Sequence, residues 1–181
     1  MSPAYGIAQD RTFRIENLDP DRYGVLLNGL PDGFYTKSIR VGDVDITYTG
    51  VDLASGTPGQ IDILVSQKAA LVSGIARNLA TGRPPPDATV VMLPKEKERL
   101  PIPAFYLQAA TDQYGRFTFK NVVPGEYQVY AWEDVESSAW LDPDFMKPLA
   151  GKGASVTVGE GAQAVVQVNL IPADSGNEKP K

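Results

Sequence analysis

The sequence predicts an all-β protein. Short runs of alternating apolar and polar residues are separated by turn-forming residues, with 17 glycines and 15 prolines spread through the chain. No amphipathic stretch is long enough for a helix of ordinary length. A third observation concerns organisation: the phrase Thr12 to Tyr23 (TFRIENLDPDRY) returns at Arg116 to Tyr127 (RFTFKNVVPGEY), at a constant offset of 104 residues. Phe13/Phe117, Asn17/Asn121, Pro20/Pro124 and Tyr23/Tyr127 are identical, and Ile15/Phe119, Leu18/Val122 and Val25/Val129 agree in kind. Such a self-match argues for two copies of one structural unit.

Residues 1–11 are weakly patterned. A first strand is expected from Thr12 to Ile15, with Phe13 and Ile15 on one face. Asn17 to Asp21 is a turn built on Pro20, and Tyr23 to Leu27 resumes a strand that closes at Asn28-Gly29 and Pro31-Asp32-Gly33. Phe34 to Val41 is a third strand, and Gly42-Asp43 a tight hairpin turn into Val44 to Tyr48. After a loop from Leu53 to Gly59, Gln60 to Val65 alternates as a strand. Ser66-Gln67-Lys68 then divides a first unit, 1–67, from a second, 68–172; the junction is too short for free swivelling.

In the second unit, strands are expected over Ala70 to Ala76, Ala88 to Leu93 and Phe105 to Ala110. The proline-rich turn Asn78 to Pro86 follows the first, and Lys95 to Arg99 is a solvated loop of mixed charge. Thr111 to Gly115 is a turn into the repeated phrase, read as strand Arg116 to Phe119, turn Asn121 to Gly125 and strand Glu126 to Trp132. Residues 133–153 are irregular, with a helical turn within Val135 to Leu141 and a short helix capped at Asp142-Pro143-Asp144 through Met146. Strands Ala154 to Val158 and Ala164 to Leu170 finish the unit, and the polar tail, 173–181, is expected to be disordered.

Composition narrows the function. A net charge of −5 with no basic run argues against a nucleic-acid partner, because phosphate binding needs a Lys/Arg patch. The chain has no cysteine, hence no disulfide, thiolate nucleophile or Cys-ligated zinc. It has no histidine, which removes the usual general base and the commonest transition-metal ligand. A non-enzyme is expected, with no catalytic, cofactor-binding or metal-ligating residue assigned. The acidic groups Asp43/Asp45/Asp52 and Asp142/Asp144 lack a calcium-loop spacing and read more simply as turn and cap residues. No apolar run is long enough to cross a bilayer, and Met1-Ser2-Pro3-Ala4 lacks the features of a signal peptide.

One ordered series of residues carries a family resemblance: Val72-Ser73-Gly74, then Ala88-Thr89-Val90-Val91, then Thr111-Asp112-Gln113-Tyr114-Gly115-Arg116-Phe117, then Pro124-Gly125-Glu126-Tyr127. It resembles the carboxypeptidase regulatory-like domain, a seven-stranded, transthyretin-like (prealbumin-like) antiparallel β-sandwich. The resemblance covers residues 70–171, while 12–67 match only the second half of such a domain, so the first of the tandem units lacks N-terminal strands. It implies a non-catalytic module appended to secreted or surface proteins, and hence an extracellular, cell-surface or periplasmic setting. The motif residues read as structural. Thr111, Asp112 and Gly115 shape a turn, Phe117 and Phe119 enter the core, Asn121, Pro124 and Gly125 reverse the chain with Gly125 at positive φ, and Tyr127 returns its hydroxyl to the backbone as in a tyrosine corner. The first copy keeps Phe13, Asn17, Pro20 and Tyr23 but has Ala8-Gln9-Asp10-Arg11 in place of the Thr-Asp-x-x-Gly turn and Asp21 in place of Gly125. Three readings stay open: a fragment of a longer protein, a differently built first unit, or strands supplied by another chain.

Three functions compete. The first is a structural or interaction module whose partner is another chain, further domains of its parent, or a second copy added through a β-strand. The second is polysaccharide binding through exposed rings of Tyr130, Trp132, Trp140 and Phe145; a role for both tryptophans in pinning the long loop is the favoured alternative. The third is an isopeptide-locked surface domain of pilin type, joining Lys68 to Asn169 under Glu126 or Glu133, although the surrounding residues do not match the usual patterns of such domains.

Overall fold

The computed structural model describes residues 9–54, 56 and 58–173; the expected disorder of the tail beyond Ala173 lies outside the described residues. The protein is all-β, with short helical turns in its connections. Two compact units are present, one built from residues up to 26 together with 39–62, the other from 27–38 together with residues from 63 onward. Residues 27–38 and 63–67 thus cluster with the second unit, so the units are not contiguous in sequence.

In the first unit, β1 (Arg22–Tyr23), β3 (Val44–Asp45) and β4 (Val51–Asp52) are two-residue strands; β2 (Tyr35–Val41) enters this unit at Ile39 and β5 (Ile61–Ser66) leaves it after Asp62. β1 pairs antiparallel with β4, and the sheet order β3-β2-β5 follows from the tight Gly42-Asp43 hairpin, with Val41 opposite Val44. The strand expected from Thr12 to Ile15 is absent. A strand exists only through a ladder, and these residues find none among the described residues; Asp10 Oδ1 instead accepts from Thr12 N and Oγ1 at 3.0 and 2.7 Å. The strand expected from Tyr23 to Leu27 shrinks to β1. The strand expected from Val44 to Tyr48 stops at Asp45, whose Oδ1 accepts from Thr47 N and Oγ1 and curls the chain.

The second unit is a sandwich. Its strands are β6 (Ala70–Arg77), β7 (Thr89–Pro94), β8 (Leu107–Ala110), β9 (Arg116–Val122), β10 (Gly125–Trp132), β11 (Ala154–Val158) and β12 (Gln163–Ile171). One layer runs β9-β6-β12, with β6 antiparallel to β9 and parallel to β12. The other runs β8-β7-β10, with β11 on the far side of β10. The two join where the last residues of β12, Leu170 and Ile171, pair in parallel with Ala131 and Trp132 of β10. Val72, Phe117, Phe119 and Val168 from the first layer meet Val90, Met92, Tyr127 and Val129 from the second in the main core. Alternation explains the first layer: Arg116, Thr118 and Lys120 face water while Phe117, Phe119 and Val122 face inward. β7 reads as the unbroken run Val90-Val91-Met92-Leu93 because both of its faces are covered.

Candidate functional site

The motif residues are spent on the fold. Thr111 is buried, its Oγ1 donating to Pro85 O at 2.6 Å and accepting from Ala88 N at 2.9 Å. Asp112 Oδ1 accepts from Tyr114 N and Arg116 N, both at 2.8 Å, and Gly115 closes the turn at φ 72° with its N–H on Asp112 O. Tyr127 is 1% exposed, and its hydroxyl donates to Val123 O at 2.6 Å while accepting from Arg99 Nη1 at 3.2 Å. The same corner stands in the first copy, where the Tyr23 hydroxyl donates to Asp19 O at 3.1 Å, again four residues back. Asn17 and Asn121 share the left-handed backbone conformation, at φ 59° and 54°.

Gly125 has the positive φ expected of it, at 159°, and a Cβ there would also press on the Glu96 carboxylate and the Arg99 guanidinium. One expectation is corrected here. Lys95 to Arg99 is not simply a solvated loop. Arg99 is buried and donates from Nη2 to Pro124 O at 2.9 Å, and Glu96 Oε1 accepts from Glu126 N at 2.8 Å. The loop locks the Pro124-Gly125 corner from outside.

The expected sugar platform is buried. Trp132 and Trp140 are 2% and 7% exposed, and Tyr130 is buried with them beneath Leu149, Val91 and Ile171, with Phe145 half-buried at the margin. Trp132 stacks on Tyr130 at 5.4 Å and on Trp140 at 6.3 Å between centroids. Burial also pushes the Tyr130 hydroxyl pKa up. These rings pin residues 133–153 over the outer face of the β10 layer, because that face of β7 and β10 is apolar and must be covered. The short helix Pro143–Met146 in this stretch is capped as expected, Asp142 Oδ1 accepting from Asp144 N at 2.9 Å. Asp45 caps Thr47, and Asp52 accepts from Ala54 N and pairs with Arg22 at 3.3 Å, so these acidic side chains serve turns and a strand pair.

The isopeptide geometry fails. β6 and β12 are in parallel register, with Leu71 opposite Gln163 and Arg77 opposite Asn169. Lys68 and Asn169 therefore lie at opposite ends of the layer, on the order of 30 Å apart at the rise of a parallel strand. Glu126 pairs with Lys95 at 3.2 Å, and Glu133 accepts from Ala173 N at 3.4 Å.

Two surfaces of this unit remain open. The first is the edge of β12: residues 163–169 take ladder partners only on the β6 side among the described residues, with β11 running close to the strand. This edge, QAVVQVN, carries no charge, and Val165, next to its centre, is 84% exposed. The second is a cleft of about 270 Å³ where β6 ends and the Asn78-to-Pro84 loop begins, lined by Ile75, Arg77, Asn78, Leu79, Arg83 and Tyr114 among others. Tyr114 is 57% exposed, with the Arg116 guanidinium 5.4 Å from its ring centroid. The cleft was hidden in the sequence inside a segment read as turn. The available signal was that Gln113 and Tyr114 are the unspecified positions of Thr-Asp-x-x-Gly, whose side chains the turn itself does not require.

No family model matches the chain, and no curated protein matches it. Among solved structures, a candidate carbohydrate-binding protein from Pseudomonas aeruginosa is 17% identical over 56% of this chain and 88% of its own, at a TM-score of 0.35. The major pilin subunit of Bacillus cereus is 11% identical over 61% of this chain and 33% of its own, at 0.36. The 5-hydroxyisourate hydrolase of Klebsiella pneumoniae is 19% identical over 57% of this chain and 90% of its own, at 0.33. A binding protein, a pilin and a hydrolase stand together at this level of likeness, so no activity transfers from them.

Proposed function

We propose that the chain is a non-catalytic interaction module of a secreted or cell-envelope bacterial protein. Its second unit is of carboxypeptidase regulatory-like type, and it associates with a second copy of itself by strand addition along β12. The uncharged edge of β12, unladdered over residues 163–169 on the side away from β6 among the described residues, carries this reading. Exposed edges are ordinarily blunted by lysine, proline or a bulge, and residues 163–169 contain neither residue type. The opposite edge of the same layer, β9, carries Arg116 and Lys120. An antiparallel pairing centred on Val166 would set Gln163 opposite Asn169 and Val165 opposite Gln167 of the second copy. Side chains facing the core would then meet others facing the core, and outward ones would meet outward ones. The non-catalytic part rests on the missing histidine and cysteine and on motif residues occupied in holding the sandwich.

Light scattering at micromolar concentration tests the association. The expected result is a dimer that Val165→Lys combined with Gln167→Lys converts to a folded monomer, because the new charges face each other directly across the pair. A clean monomer of the unmodified chain removes strand addition from the proposal.

A further inference from the structure

The cleft beside the end of β6 has a composition that the edge association does not use. Arg77 and Arg83 line it, and Arg116 stands next to it over the Tyr114 ring. None of these three arginines has a carboxylate partner among the described residues. No acidic side chain lines the cleft. Asn78 Oδ1 is already taken by the N–H groups of Ala80 and Thr81, at 3.0 and 3.1 Å, which leaves its amide NH₂ as a donor. The polar lining therefore consists almost entirely of hydrogen-bond donors, and a donor-only site is complementary to an acceptor-rich anion.

Its apolar part is also distinctive. Tyr114 and Leu79 (72% exposed) stand open at the cleft, at a cost in hydration that the fold does not require. A tyrosine ring beside arginine forks suits a ligand with one apolar face and one carboxylate. At about 270 Å³ the cleft falls just short of the ~300–1,000 Å³ of pockets for drug-sized ligands. It fits one ring, or the end of a chain, better than a long groove would.

We propose that this cleft binds the terminal residue of an acidic saccharide of hexuronate type. Arg77 and Arg83 hold the carboxylate, the Asn78 amide donates to a ring hydroxyl, and Tyr114 packs on the apolar face of the sugar. The cleft is lined by β6 and the turns beside it and takes no residue from β12, so binding does not require self-association.

Calorimetric titration of the full chain tests the proposal, with a digalacturonate as probe, the neutral galactose disaccharide and inorganic phosphate as controls, and an acidic peptide as competitor. The expected result is binding of digalacturonate alone. Arg83→Gln should weaken it by about tenfold or more, as loss of a charge-assisted hydrogen bond does. Tyr114→Ala should weaken it as well, and both exposed loop positions should leave the melting transition unchanged. Equal binding of phosphate would reduce the cleft to a general anion site, and preference for the peptide would assign it to a protein partner; either overturns the proposal. So does absence of digalacturonate binding, or binding that Arg83→Gln leaves intact.

Discussion

The two copies of the repeated phrase differ in one respect that explains the others. Both make the tyrosine corner, and both place asparagine in the left-handed region, at Asn17 and Asn121. Only the second builds a strand before the corner; after it, the first copy has just the two-residue β1 where the second has the eight residues of β10. Arg116–Val122 is laddered against β6, from Ile75 opposite Arg116 to Ala70 opposite Val122, whereas Thr12 to Ile15 has no ladder at all among the described residues. The repeated residues thus encode a local corner, which forms wherever the chain carries it. The flanking strands depend on partners from elsewhere in the sequence: the second copy has them on both sides of the corner, whereas the first has only β4, against β1, among the described residues. Consequently Phe117 is buried in the core while Phe13 is half-exposed and Ile15 lies at the surface.

The largest test of that difference is truncation of the shared phenylalanine. Phe117→Ala empties the centre of the sandwich and should cost about 3–5 kcal/mol. Phe13→Ala, with no core to hollow out, should stay within about 1 kcal/mol. Both tryptophans belong to the second unit, so denaturant unfolding followed by their fluorescence reads the first variant. Native-state hydrogen exchange at the β1-β4 pair reads the second. Comparable losses would mean that the first copy has a core of its own around Phe13.

A smaller effect separates the asparagines. Asn121 Oδ1 accepts from Gly33 N at 2.8 Å, and its Nδ2 donates to Pro31 O at 3.1 Å, tying residues 30–33 to the sandwich. Asn17 has the same backbone but no such clamp among the described residues. Alanine at either position should cost about 1 kcal/mol for the left-handed conformation. At Asn121 the loss should rise to about 2–3 kcal/mol as the clamp's hydrogen bonds go too. Faster exchange of the Gly33 amide in Asn121→Ala is the specific sign. Equal costs at the two positions would show that the clamp contributes nothing.

The same contrast accounts for what was legible in the sequence. The sandwich could be read because its signals are local and mutually consistent: alternation in β6, β9 and β12, and a turn motif whose every residue has one job. The first unit was over-read for the same reason, since alternation at Phe13 and Ile15 is visible but the absence of a ladder partner is not. Burial of Arg99 was unreadable because it depends on a corner some 25 residues away, where Pro124 O and the Tyr127 hydroxyl wait for a donor. The tryptophans looked available for ligands because nothing local says that the outer face of β7 needs a cover. The arginine cleft escaped notice because its lining comes from β6, the loop after it and the turn before β9, which only the fold brings together.

The smallest effect is a difference in pH response between the units. Glu160 accepts from Lys37 Nζ at 2.6 Å and from the Tyr35 hydroxyl at 2.8 Å, holding the start of β2 to the second unit. The hydrogen bond from Lys37, then that from Tyr35, keeps the Glu160 carboxyl below its usual pKa. In the first unit, the Ala54 amide and then Arg22 do the same for Asp52. A carboxyl depressed on folding contributes stability that is complete above its unfolded pKa, about 4 for either residue, and is lost as pH falls through the lower folded value. Both units should therefore share an acid limb. Lys37, through its bond to Glu160, and Tyr35, chiefly through burial, have raised pKa values. Their contributions are complete below the unfolded values, about 10, and are lost as pH rises through the folded ones. The second unit should then show an alkaline limb beside its acid one. An NMR titration checks this: resonances of residues 35–37 should move at both extremes, the Ala54 amide should move as Asp52 is protonated in acid, and Glu160→Gln should abolish the acid step at 35–37. An acid step that survives Glu160→Gln would show that some other group holds β2 in place.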